Sequence, residues 1–112
     1  MLKEQIFKAS APTLTPVELN GVTVYVRSLT GAELGRVHHL TETFRAQGKD
    51  PSEVNVSAVI WATCDQDGNP VFSSTDAEAV AGLPWQTFQL LVQAVLKASG
   101  LDSDSLQDAK NA

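Results

Sequence analysis

The sequence predicts an α+β domain in which an N-terminal antiparallel β-hairpin packs on a mostly helical domain of about four helices. Asn20-Gly21, between two runs of alternating apolar and polar residues, is the strongest short-range signal of a hairpin. Thr30 and Glu33 have the spacing of a capping box, which starts a helix. A strongly apolar helical pattern follows Pro84, which suits a first helical turn because its missing N–H costs nothing there.

The composition is that of one globular domain, 1–112. A chain of 112 residues buries roughly two thirds of the surface that it exposes when unfolded, and 43% of its residues are apolar. The net charge is −5, and residues 51–82 carry five acidic side chains and no Lys or Arg. This balance argues against nucleic acid as a partner, since a phosphate backbone needs clustered cations.

No apolar run approaches the ~20 residues that cross a bilayer, and the N-terminus lacks the apolar segment of a signal peptide.

The two-residue loop also predicts how the hairpin strands pair. Leu19 then faces Val22, and Val17 faces Val24. Because side chains alternate between the two sides of a strand, one face is apolar and the other polar. The apolar face consists of Val17, Leu19, Val22, Val24 and Val26. The polar face consists of Glu18, Thr23, Tyr25 and Arg27.

Pro16 near the start of the hairpin indicates an edge strand, because proline cannot donate a ladder hydrogen bond. A lone hairpin is only marginally stable, so its apolar face must lie on a helix, and the helix after Thr30 is the nearest candidate. That helix is predicted to run to about Ala46 or Gln47, before the stop signal of Gly48. Its apolar face consists of Leu34, Val37, Leu40, Thr41 and Phe44.

The other elements are shorter. Residues 2–9 predict an amphipathic helix that needs tertiary packing to persist. The apolar run 57–64 favours a helix with Val56, Val59, Ile60 and Cys64 on one face, although a buried strand stays open for so short a run. Residues 65–70 predict a turn cluster, and Ser73 or Ser74 is expected to cap a helix of about two turns.

The helix after Pro84 is predicted to end at Gly100, which suits a left-handed cap. Its apolar positions at helical spacing are Trp85, Phe88, Leu91, Val92, Val95, Leu96 and Ser99. The tail 102–112 is polar and acidic, and we expect it to fray.

The acidic stretch 65–69 has a spacing similar to that of a calcium-binding loop. Asp65, Asp67 and Asn69 recur at alternate positions, as ligands do in a calcium-binding EF-hand loop. That loop needs glycine at its sixth position, where this chain has Pro70. The sequence therefore predicts a plain Asp/Gly turn and no metal.

The histidines and the cysteine do not suggest catalysis. His38 and His39 would point about 100° apart on a helix and cannot chelate one metal ion together. Cys64 is the single cysteine, so it allows no intrachain disulfide and suits a reducing compartment. Its apolar neighbours predict a raised thiol pKa and an inert core residue. With no Gly-rich phosphate loop and no nucleophile elbow, the sequence predicts no enzyme and no cofactor.

Three aromatic residues are the predicted protein-binding positions: Trp61, Trp85 and Phe88. Trp61 follows Ile60 at the edge of an apolar stripe, and partly exposed tryptophans are typical interface anchors. Trp85 has two interpretations, a core residue at the start of an apolar helix and a binding residue, and both stay open.

Three landmarks follow one another along the chain. The strand VTVYVR at 22–27 runs into LTGAE at 29–33. A mid-chain apolar helix ends in DQDG at 65–68, with Phe72 after it, and a final amphipathic helix closes on LKASGL at 96–101. In order and spacing these landmarks resemble the small tail assembly chaperones of long-tailed bacteriophages and prophages. The resemblance covers nearly the whole chain.

The resemblance implies a non-catalytic protein of the host cytoplasm that is absent from the mature virion. Such a protein binds the long, aggregation-prone tape-measure protein and helps recruit tail-tube subunits around it. Members often also exist as a longer form made by ribosomal frameshifting, which would be a further partner. An exposed apolar helix face would in addition favour homo-oligomers. The alternative function is a structural tail-completion or connector protein that is retained in the virion.

Overall fold

A computed structural model describes residues 1–10 and 13–101, and within them it has five α-helices and three strands. The elements in chain order are α1 (Leu2–Ala9), β1 (Thr15–Leu19), β2 (Val22–Val26), α2 (Gly31–Ala46), α3 (Val54–Ala62), β3 (Thr63–Cys64), α4 (Ala77–Ala81) and α5 (Trp85–Ala98). Short 3-10 turns at Pro51–Glu53 and Ser74–Asp76 lead directly into α3 and α4. The predicted α+β class is confirmed. The predicted frayed tail at 102–112 lies outside the described residues.

The hairpin has the predicted turn and register. Asn20 and Gly21 have φ angles of 50° and 87°, as a type I′ turn requires. Val17 lies opposite Val24, as the two-residue loop predicts. The strands are ordered β1-β2-β3, so Pro16 lies on an edge strand, where its missing N–H breaks no ladder.

The apolar run at 57–64 divides between a helix and a strand. α3 begins at Val54, earlier than predicted, and ends at Ala62. The last two residues of the run form β3, which pairs antiparallel with the end of β2. The prediction that Cys64 lies on a helical face is therefore wrong. The free edge of β2 provides hydrogen-bond partners for the backbone of residues 63–64. This is a tertiary contact, and hydrophobic periodicity along the sequence does not reveal it.

The helix that covers the hairpin is α5, and the expectation that α2 would cover it is wrong. Both β1 and β2 pack on α5, which buries Leu91, Val92 and Val95. α2 packs instead on α3 and on the 3-10 turn before it, and no residue of α2 is fully buried. The hairpin needs a wide apolar surface, which the more hydrophobic stripe of α5 supplies even though α2 is nearer in sequence.

The hydrophobic core lies where the sheet, α3 and α5 meet. Its buried members are Val17, Val26, Leu29, Ala58, Val59, Ile60, Ala62, Val80, Leu91, Val92 and Val95. α3 contributes the largest share of them, since it is apolar on nearly every side. The remaining helices can therefore pack around α3 and leave their own outer faces open.

The corner between β2 and α2 is held by a helix cap and an ion pair. The Thr30 N–H donates to Glu33 Oε1 at 2.9 Å and the Glu33 N–H to Thr30 Oγ1 at 3.1 Å, which confirms the predicted capping box. Arg27 donates to both carboxylate oxygens of Glu33 at 2.8 Å and to the Trp61 carbonyl at 2.7 Å. The Arg27 guanidinium lowers the pKa of the Glu33 carboxyl, and Glu33 raises the pKa of Arg27. One ion pair thus joins β2, α2 and α3.

Candidate protein-binding groove

An open groove runs between the helices on one side of the fold. It consists of two adjoining pockets of about 360 and 260 Å³, which share Glu53, Val56 and Ala81. We call it the helical groove. Its apolar lining residues are Leu40, Phe44, Val54, Val56, Ala77, Ala81, Leu83, Trp85 and Phe88. Its polar lining residues are Ser52, Glu53, Ser57 and Glu78.

Helix α2 supplies one wall of the helical groove through Leu40 and Phe44. The two residues are four positions apart, so they share one face of the helix. Both side chains are only half-buried, because α2 packs on α3 along one side and nothing in the described chain covers the rest of that face. The Lys49 ammonium lies 5.8 Å from the centroid of the Phe44 ring, a cation–π distance.

The first turn of α5 supplies the opposite end of the groove. Trp85 is the first residue of α5 and is 70% exposed, so the core interpretation of this residue is wrong. Phe88, three positions on, is half-buried beside it. The buried stripe of α5 begins only at Leu91, which means that the first turn projects beyond the core. Its aromatic side chains therefore face the groove and the solvent.

The groove is acidic as well as apolar. Glu53 and Glu78 line it, and among the described residues that line either pocket there is no Lys or Arg, although Lys49 lies over the outer wall at Phe44. Carboxylates beside an apolar surface focus a negative potential on any segment that enters. The groove is therefore suited to an apolar helix that also carries basic residues.

Trp61, the third predicted binding residue, lies away from the groove. Its side chain is half-buried, with the Arg36 guanidinium carbon 5.4 Å from the ring centroid. Its carbonyl accepts the hydrogen bond from Arg27 at the corner. The structure thus brings Trp85 and Phe88 together and leaves Trp61 apart, and a binding role for each of the three stays a prediction.

Several groove residues were not singled out from the sequence as binding positions. The sequence predicts Leu40 and Phe44 on the apolar face of their helix, and Val56 on that of the next one. The acidic composition of 51–82 was a visible signal, but it did not indicate which apolar residues Glu53 and Glu78 would flank. That depends on how four helices come together, which local patterns do not specify.

Cys64 and the turn at Asp65 have structural roles in the fold. Burial raises the pKa of the Cys64 thiol, as its apolar neighbours predict. The Asp65 carboxylate accepts the backbone N–H groups of Asp67 and Asn69, each at 2.9 Å, which is the predicted Asp/Gly turn. Within residues 1–10 and 13–101, no three His, Cys, Asp or Glu side chains are close enough to share a metal ion. None of the described helices is long and apolar enough to span a bilayer.

Comparison with known proteins finds a similarity in structure but none in sequence families. The sequence matches no protein-family model and no curated protein. Its structure is similar to that of the bacteriophage HK97 tail assembly chaperone, with a TM-score of 0.59 and 24% sequence identity. The similarity covers 83% of this chain and 95% of the HK97 chain. The chain thus has the fold of that protein, which confirms at the level of the fold the resemblance seen in the sequence.

Proposed function

We propose that this protein is a non-catalytic phage tail assembly chaperone that binds the tape-measure protein and helps recruit tail-tube subunits during tail morphogenesis. The observation that carries the proposal is the helical groove, present on a fold like that of the HK97 tail assembly chaperone. In this proposal the protein acts in the host cytoplasm and is absent from the mature virion. A longer, frameshifted form of the same chain is a further proposed partner.

The groove offers a physical mechanism for holding a long helical client. An amphipathic client helix would lay its apolar face between Phe44 on α2 and Trp85 on α5. Buried aromatic side chains at the centre of an interface typically carry most of the binding energy, which gives Trp85 and Phe88 the role of anchors. Covering apolar client surface in this way would prevent the client from aggregating before the tail tube forms around it.

Glu53 and Glu78 would select among client segments. Opposite charges at the rim of an interface mainly increase the association rate and suppress partners of the wrong sign. We therefore expect the groove to prefer client helices that carry Lys or Arg beside their apolar face. No bond is made or broken in this mechanism, so it requires no catalytic residue and no cofactor.

Co-expression tests the proposal. Soluble tape-measure protein should increase several-fold when the wild-type chain is co-expressed with it, and Trp85→Ala with Phe88→Ala should remove most of that increase. Val22→Thr is the matched control, because Val22 is an exposed apolar residue at the hairpin turn, on β2. An unchanged soluble yield with the wild-type chain would overturn the chaperone function. Trp61→Ala, measured in parallel, tests the separate prediction for that residue.

Mass spectrometry of purified phage particles separates the chaperone from a structural tail-completion or connector protein. A chaperone should be absent from mature particles, whereas a connector should be present in a fixed number of copies. Detection in such a fixed number would contradict the proposed function and support the alternative.

A further inference from the structure

Helix α1 is amphipathic, and its apolar side is open to solvent. Leu2 is 72% exposed, Ile6 53% and Phe7 67%, and none of the helix residues is buried. Leu2 and Ile6 are four positions apart and so share one face. A helix of eight residues is too short to be stable alone in water, so it needs a surface on which to pack. Within the described part of the chain, no element provides that surface.

The charge of α1 is complementary to that of the helical groove. Lys3 and Lys8 outnumber the single acid of the helix, Glu4. The groove has carboxylates at Glu53 and Glu78 and no base among its described lining residues, and Lys49 lies beside it only at the α2 end, over the Phe44 ring. An apolar helix with basic side chains is the kind of ligand that an apolar, acidic groove binds.

We propose that α1 of one copy of this protein binds in the helical groove of a second copy. At 1.5 Å per residue the helix is roughly 12 Å long, about the length of two helical turns. Leu2 and Ile6 would lie on Phe44, Trp85 and Phe88, and Lys3, which flanks this face of the helix, would lie near the acidic rim. The two contacting surfaces are different, so the contact is heterologous.

This contact covers two apolar surfaces of the free protein at once. A two-turn helix buries less than the ~1,200 Å² of a standard interface, so the association should be weak and should depend on protein concentration. A client helix that fits the same groove would displace α1. The inference concerns the protein without its client, so it does not rest on the proposed function.

Sedimentation velocity of the purified full-length chain, from about 5 to about 500 µM, tests the contact. The average mass of the wild type should increase with concentration. Leu2→Gln with Ile6→Gln removes the apolar face of α1 that is proposed to bind but keeps its helix propensity, and Trp85→Ala with Phe88→Ala removes the groove anchors. Each double variant should raise the dissociation constant about tenfold or more, which corresponds to ~1.4 kcal/mol. Val22→Thr should associate as the wild type does.

A mixing experiment distinguishes this contact from other modes of association. The α1 variant keeps an intact groove and the groove variant keeps an intact α1, so an equimolar mixture should regain a 1:1 complex. A mixture that stays monomeric, while the wild type associates, would overturn the inference. Association of the groove variant by itself would also overturn it, because α1 would then bind something other than the groove.

Two further results bear on the inference. A wild type that is monomeric at every concentration would overturn it, including the case in which α1 folds into its own groove. Circular dichroism must show that each variant folds, and if the groove double variant does not, Trp85→Ala alone takes its place because that side chain is largely exposed. A monomeric wild type that still raises the tape-measure yield would overturn the inference and leave the proposed function standing. A wild type that associates as expected but does not raise that yield would overturn the proposed function and leave the inference standing.

Discussion

At the scale of single residues, Thr63 has a polar group in an apolar position. Its side chain is 1% exposed in β3, and its hydroxyl has no hydrogen-bond partner among the described residues. An unpartnered buried hydroxyl costs about 1–3 kcal/mol, whereas the branched shape of threonine suits a strand. The residue therefore fits β3 in shape but not in polarity.

Replacing Thr63 by valine should raise the free energy of unfolding by about 1 kcal/mol, because the shape is kept and the unpaired hydroxyl is removed. Urea unfolding would measure the change. Thr23→Val is the control, since the Thr23 hydroxyl is exposed and bonds to Glu18, and no gain is expected there. A loss of stability in Thr63→Val would show that the hydroxyl is paired in solution.

The ion pair between Arg27 and Glu33 makes a pH-dependent contribution to stability. Arg27 lowers the pKa of Glu33 from its ordinary value of 4.5, so the folded protein binds this proton more weakly than the unfolded chain does. The stabilisation is therefore complete above about pH 4.5 and is lost as the pH falls through the lowered folded value. The pKa of Arg27 is raised, so its charge persists throughout this range.

Glu33→Gln should lower the free energy of unfolding by about 1–3 kcal/mol at pH 7, because it leaves a half-buried guanidinium without its partner. The difference from the wild type should shrink as the pH falls below about 4.5 and through the lowered folded pKa, which urea unfolding at each pH would measure. Glu42→Gln is the control, because its 3.9 Å contact with Arg45 joins two exposed side chains and is worth less than ~0.5 kcal/mol. A constant difference at every pH would contradict the role of the ion pair.

At the scale of elements, the helices differ in how deeply they are buried. α3 has five buried residues and α5 has three, whereas α1 and α2 have none. Helices held by few apolar contacts open at a lower free energy than those in the core. The elements with exposed apolar faces, α1 and α2, are also those that contribute the proposed ligand and one wall of the groove.

Hydrogen exchange should follow this order. In dilute protein the amides of α1 should exchange at nearly the rate of an unfolded chain, and those of α3 and α5 should be the slowest. Protection of α1 should increase at high concentration, where the groove of a second copy is occupied. Mass spectrometry after exchange would measure both. Equal protection of α1 and α5 in dilute protein would contradict this difference in stability.

The elements also show where prediction from sequence stops. The Asn20-Gly21 turn and the Thr30 cap depend on residues within four positions of one another, and both were predicted. β3 depends on β2, which lies about 40 positions earlier in the chain, and it was not predicted. A two-residue strand has no periodicity of its own, so only its partner defines it.

At the scale of the whole molecule, stability depends on the apolar layer between the hairpin and α3. Leu91 on α5 is fully buried in this layer, whereas its neighbour Leu90 is about half exposed. The two leucines have the same chemistry and helix but opposite surroundings. They provide a direct comparison of burial.

Leu91→Ala should lower the free energy of unfolding by about 2–5 kcal/mol, because it removes buried methyl groups and leaves a cavity. Leu90→Ala should cost less than ~1 kcal/mol, since alanine keeps the helix propensity and little buried area is lost. Thermal and urea unfolding would measure both. Equal costs would show that α5 does not present Leu91 to the core.

The sequence by itself determined the α+β class, the hairpin with its register, the capped helix after Thr30 and the identity of the aromatic candidates. These depend on neighbours along the chain, whose geometry is set by a few backbone angles and hydrogen bonds. Only the tertiary structure decided that α5 covers the hairpin, that Trp85 is exposed, and that Trp85 and Phe88 share a groove with Phe44 while Trp61 lies elsewhere. Those outcomes depend on which apolar faces fit together in space, and a linear pattern shows that a face exists but not what covers it.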